Sequence, residues 1–136
     1  MSRVVHLDTS FLIRALVPGT GEDRCLREWL ATDVTIEMSV VGWAEFLCGP
    51  VDEHQTRLAR QLLRPPVPIV DEDAQVGARL FSQTGRRRGS LADCLLAASA
   101  IRAGAAFATS NLSDFKRFGP HGLMLIPPST VTARME

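Results

Sequence analysis

Short apolar runs alternate with stretches of helical periodicity along nearly the whole chain, and this alternation restricts the fold more than any other feature. Residues 4–7, 67–70, 105–108 and 123–126 read as strands, as do Val34, Ile36 and Met38 with their period of two. Helical stripes lie between them. Phe11, Leu12, Ala15 and Leu16 share one face before Pro18-Gly19 stops the helix, and residues 22–31 turn Cys25, Leu26, Trp29 and Leu30 inward. Further helices are expected at 40–48, 52–63, 71–84 and 111–118. The stretch 90–103 is apolar on nearly every side, which predicts a central, buried helix ended by Gly104. The pattern predicts an α/β/α sandwich in which helices cover both faces of a mostly parallel sheet of about five strands. Residues 1–136 are expected to form a single domain, with a loose tail from 128 onward.

Four carboxylates interrupt this apolar pattern: Asp8, Glu45, Asp93 and Asp114. Burying an unpaired charge is costly. The triplet Arg86-Arg87-Arg88 stops several residues short of Asp93, so the acids look undersupplied with internal cations. Two carboxylates about 4 Å apart repel by roughly 4 kcal/mol at an effective dielectric near 20. A cluster of this kind persists when cations or protons bind it. Hard divalent ions such as Mg²⁺ accept carboxylate oxygens and suit phosphoryl-transfer hydrolysis.

Capping accounts for some of these acids equally well. Asp8 and Thr9 can open the helix that follows, and Ser90 with Asp93, like Asn111 with Asp114, has capping-box spacing. Glu45 stands among Val41, Gly42, Cys48 and Gly49, or on the surface between Trp43 and Phe46. Topology favours a shared site. Asp8 follows one strand, Thr109 and Asp114 follow another, and Glu45 comes a turn or two after a third. Ligands of open α/β sheets bind outside the carboxyl ends of the strands.

Net charge is zero, so attraction to a polyanion would have to be local. The arginine triplet is the one dense basic patch, and it reads either as a solvated loop or as a phosphate clamp. Cys25, Cys48 and Cys94 match no zinc or disulfide spacing and read as buried thiols. His6 reads as a half-buried strand residue, His54 and His121 as surface. No segment resembles a signal peptide or a membrane span, which gives the cytoplasm as the expected compartment.

The segments Leu7-Asp8-Thr9-Ser10, Ala44-Glu45 with Gly49, Asp93 before an Ala-rich helix, and Thr109-Ser110-Asn111 with Asp114-Phe115 together resemble PIN-domain ribonucleases. In particular they resemble VapC-type toxins of toxin–antitoxin pairs, in order and over almost the whole chain. The resemblance implies a compact PIN-like α/β/α fold, often dimeric, that cleaves RNA with Mg²⁺ or Mn²⁺ and is restrained by an antitoxin protein. It implies Asp8, Glu45, Asp93 and Asp114 as the catalytic and metal-binding quartet. Thr9, Ser10, Thr109 and Asn111 would orient them, and Arg86, Arg87 and Arg88 would meet RNA. Ser10 stands where many relatives carry Asn.

Other classes fit less well. Leu7-Asp8-Thr9-Ser10 resembles the signature of retroviral-type aspartic proteases, but that fold is nearly all strand and leaves three acids idle. A HAD-type phosphatase needs a second Asp at the position of Ser10. A non-catalytic PIN fold that binds RNA or protein remains the alternative to the enzyme.

Overall fold

The computed structural model describes residues 3–86 and 90–127. Strand β1 is Arg3–Leu7, β2 Val34–Glu37, β3 Ala106–Ala108 and β4 Met124–Leu125. Helices α1 (Thr9–Ala15) and α2 (Gly21–Ala31) join β1 to β2. Helices α3 (Val40–Cys48), α4 (Glu53–Leu62), α5 (Asp71–Gln83) and α6 (Leu91–Ala103) lie between β2 and β3. Helix α7 (Leu112–Phe115) and a 3₁₀ helix (Lys116–His121) precede β4. The four strands form one parallel sheet in the order β2-β1-β3-β4. Among the described residues, no helix is long and apolar enough to cross a membrane.

Alternation along the strands sends side chains to two cores. Val5, Leu7, Ile36 and Ala108 pack with Phe11, Leu12, Trp29 and Phe46 on one face. Phe107 packs with Leu96, Ala97, Phe115 and Phe118 on the other. Phe11, Phe46, Phe107, Phe115 and Phe118 are essentially inaccessible to solvent, each worth roughly 1.5–3 kcal/mol of burial. Helix α6 is buried as its composition predicts, and Gly77 of α5 lets it approach closely. A Cβ at Gly77 would come within 2.9 Å of the Leu95 side chain. Gly104 ends α6 in the left-handed region at φ 63°, where glycine costs least.

Several expectations are corrected. Residues 67–70 form no strand: only Val67 bridges to Ser39. Pro65, Pro66 and Pro68 lack the N–H a ladder requires. The segment is tied instead by side chains, since Arg102 donates to the Pro68 carbonyl at 3.1 Å and Val70 N–H to buried Asp73 at 3.1 Å. Arg102 also grips Asp73 in a two-pronged ion pair at 2.8 and 3.1 Å.

His6 is fully buried rather than half-buried, because the inner strand β1 is covered on both faces. It hydrogen-bonds Glu37 at 3.1 Å, yet burial holds its imidazole below the ordinary range. Cys25 and Cys94 are buried, whereas Cys48 is exposed at the end of α3. Trp29 and Trp43 both face the core.

Candidate active site

The carboxyl ends of β1 and β3 carry the site. Leu7 pairs with Ala108, so the next residue on each strand, Asp8 and Thr109, emerge side by side. Asp8 is also the N-cap of α1, and its carboxylate is almost buried at 6% exposure. Three donors satisfy it. Thr9 N–H donates to Oδ1 at 2.8 Å, while Ser10 Oγ and Thr109 Oγ1 donate to Oδ2 at 2.7 and 2.8 Å. The hydroxyl of Ser10 in turn accepts from Ser110 N–H at 3.1 Å.

Glu45 reaches the same edge from α3. The Thr9 hydroxyl lies 3.0 Å from the Gly42 carbonyl and 3.3 Å from Glu45 Oε1, sharing one proton between them. Glu45 is exposed. Burial of its inner part, with the charge on Asp8, pushes its carboxyl above the ordinary range against the Thr9 hydrogen bond.

Asp93 lies in the first turn of α6, half-buried. Burial first, then the charge on Asp8, with smaller pushes from Asp114 and Glu45, raise its carboxyl to about 6 against the pull of Arg117. The four acids therefore act on one another at one end of the sheet. Asp114 is half-buried in α7, and its carboxylate takes no hydrogen bond among the described residues.

Capping accounts for Asp8 in part but not for Asp93 or Asp114. The side chains of Ser90 and Asn111 make no capping hydrogen bond on α6 or α7. Asn111 joins the network only through its main chain, donating N–H to Thr109 Oγ1 at 2.9 Å, and its own side chain is exposed. Arg86 is exposed, with a left-handed φ of 52°, and Arg87 and Arg88 lie outside the described residues.

Two features escape a linear reading. Arg117 is an internal cation 4.0 Å from Asp93, which corrects the impression that the acids lack one. It follows Asp114 by three residues, the spacing of neighbours on one helical face, and that signal was present in the sequence. Glu22 is a fifth acid beside the quartet, accepting from Ser110 Oγ at 2.7 Å and from Arg14 Nε at 2.8 Å. Burial raises Glu22, but the hydrogen bonds, with the charge of Arg14, leave it below the ordinary range.

The donor set suits a hard divalent cation, being made of carboxylate oxygens whose charges are incompletely balanced. Among the described residues, no three Asp, Glu, His or Cys side chains stand close enough to enclose a metal.

Comparison with known proteins bears on the fold. The family model described as PIN domain matches residues 5–119. A chain of the VapBC2 complex from Rickettsia felis, bound to a promoter DNA fragment, superposes with TM-score 0.73 at 22% identity, over 90% of this chain and 97% of that one. A toxin–antitoxin complex from Klebsiella pneumoniae gives TM-score 0.68 at 23% identity, over 91% and 97% of the two chains. VapBC-1 from nontypeable Haemophilus influenzae gives TM-score 0.68 at 19% identity, over 90% and 96%. Likeness at these identities speaks to the fold.

Proposed function

Because this chain belongs to the PIN-domain family, we propose that it is a metal-dependent endoribonuclease and the toxin of a toxin–antitoxin pair. One observation carries this reading. Four carboxylates converge on the carboxyl end of the sheet, and the most buried of them is fixed by three donors from two strand ends.

In this reading Asp8 and Asp93 hold Mg²⁺ or Mn²⁺, with Asp114 and Glu45 contributing directly or through water. The bound cation would supply an activated water and neutralise phosphate oxygens that gain charge. Ser10 and Thr109 orient Asp8 Oδ2, the Thr9 N–H holds Oδ1, and the Thr9 hydroxyl orients Glu45 Oε1. Glu45, partly exposed and with a raised carboxyl, is suited to accept the proton of the attacking water. Water oxygen bonds to phosphorus, the bond from phosphorus to one ribose oxygen breaks, and that oxygen takes up a proton.

Arg86, Arg87 and Arg88 would position RNA phosphates without reading sequence. The partner would be an antitoxin whose Arg or Lys pairs with the carboxylates, as the similarity to chains of toxin–antitoxin complexes suggests. The chain would act as a homodimer in the cytoplasm.

Growth of a host under inducible expression tests the toxin reading. Arrest by the wild type but not by Asp93→Asn supports a toxin acting through this site. Equal growth of both contradicts it, and equal arrest points to a non-catalytic PIN module.

A further inference from the structure

The acids differ in how they are held. Asp8 takes three hydrogen bonds and Glu45 takes one. Among the described residues Asp93 takes none, and it forms an ion pair with Arg117, whose Nη2 lies 4.0 Å from Oδ2. That guanidinium is largely buried and has two other contacts. Its side chain is only 15% exposed, it lies 4.3 Å over the Phe118 ring, and Nη1 donates to the Asp114 carbonyl. Its Nε and Nη2 are buried with no hydrogen-bond partner among the described residues. Buried donors without partners are rare in native proteins and call for an explanation.

We propose, on the metal-nuclease reading above, that Arg117 is a positioning residue for Asp93: its guanidinium pins Oδ2 and leaves the other carboxylate oxygen to a divalent cation. A small shift closes the 4.0 Å gap to the length of a charge-assisted hydrogen bond, about 2.7–2.9 Å. The same shift satisfies an orphan donor. Because Nη1 is anchored on the main-chain carbonyl of Asp114, one side chain then ties Asp93 to the backbone of the helix that carries Asp114. Arg117 would do for Asp93 what Ser10 and Thr109 do for Asp8, and a planar fork can do this where a point charge cannot.

The competing physical effect has the opposite sign. A fixed positive charge repels a cation, so if Arg117 acted only through charge, removing it would tighten metal binding. The test is Mn²⁺ binding to the full chain without RNA, read by electron paramagnetic resonance of free Mn²⁺. Arg117→Met and Arg117→Lys are compared with wild type, and circular dichroism checks the fold. The expected result is weaker Mn²⁺ binding in both variants, by about 10–100-fold for Arg117→Met. Saturating Mn²⁺ should restore most of their cleavage rate.

Unchanged or tighter binding by Arg117→Met overturns the proposal. So does wild-type affinity in Arg117→Lys, which would assign the effect to charge alone. If Arg117→Met does not fold, Arg117→Lys decides by the same criterion. Absence of Mn²⁺ binding by the wild type overturns the metal reading beneath it, an outcome distinct from a failure at Arg117.

Discussion

The Thr109 hydroxyl donates to Asp8 Oδ2 across 2.8 Å, linking residues 101 positions apart in the chain. Parallel pairing of Leu7 with Ala108 ends β1 and β3 at one level and makes this bond a consequence of register. Thr109→Val keeps the shape and removes the donor. It should cost about 1.5–3 kcal/mol of stability in urea unfolding, the range for hydrogen bonds to a charged group. Cleavage should fall about 10–100-fold, and Thr109→Ser should retain most of both. Equal behaviour of the Val and Ser variants would show that the hydroxyl does not position Asp8.

Asp93 makes stability depend on pH. Its carboxyl sits at about 6 in the folded state, above the ordinary 3.8. Between those values the folded chain binds more protons than the unfolded chain, so stability falls as pH rises. Below 3.8 this penalty is absent, and above 6 it is fully present, on the order of 2–3 kcal/mol. The favourable effect of Arg117 is already included in that net shift. In EDTA, Asp93→Asn should therefore be at least as stable as wild type at pH 7 and lose much of the slope between pH 4 and 6. Urea unfolding across that range checks it. Glu45, also raised, contributes a residual slope of the same sign.

Divalent metal should raise the melting temperature. An ion bound only by the folded chain stabilises it by about 2.7 kcal/mol at a hundredfold excess over Kd. Differential scanning calorimetry in millimolar Mn²⁺ against EDTA reads this, and Asp8→Asn should abolish most of the shift. A melting temperature indifferent to Mn²⁺ contradicts a preformed site.

Much of this architecture is legible in the sequence because strand ends are marked by acids and hydroxyls following apolar runs. Asp8 and Thr109 could be placed at one edge before any geometry was known. Residues 67–70 mislead because apolar content suggests a strand while three nearby prolines remove the donors of a ladder. Cys48 misleads in a similar way, since a cysteine at the last turn of an apolar helix need not face inward. Arg117 is hidden for another reason. Its partner Asp93 is 24 residues upstream on another helix, and only the packing of α6 against α7 and the turn that follows brings them together. The role of Asn111 is likewise invisible to composition, because only its main chain joins the network.

The central claim is that the acidic cluster cleaves RNA with a divalent ion. Incubating the purified chain with a panel of structured RNAs in Mg²⁺, Mn²⁺ or EDTA, beside Asp93→Asn, tests it most directly. Discrete internal cuts are expected from the wild type with metal, none in EDTA, and none from Asp93→Asn despite an intact fold. Cleavage that persists in EDTA, or in Asp93→Asn at the wild-type rate, would contradict it.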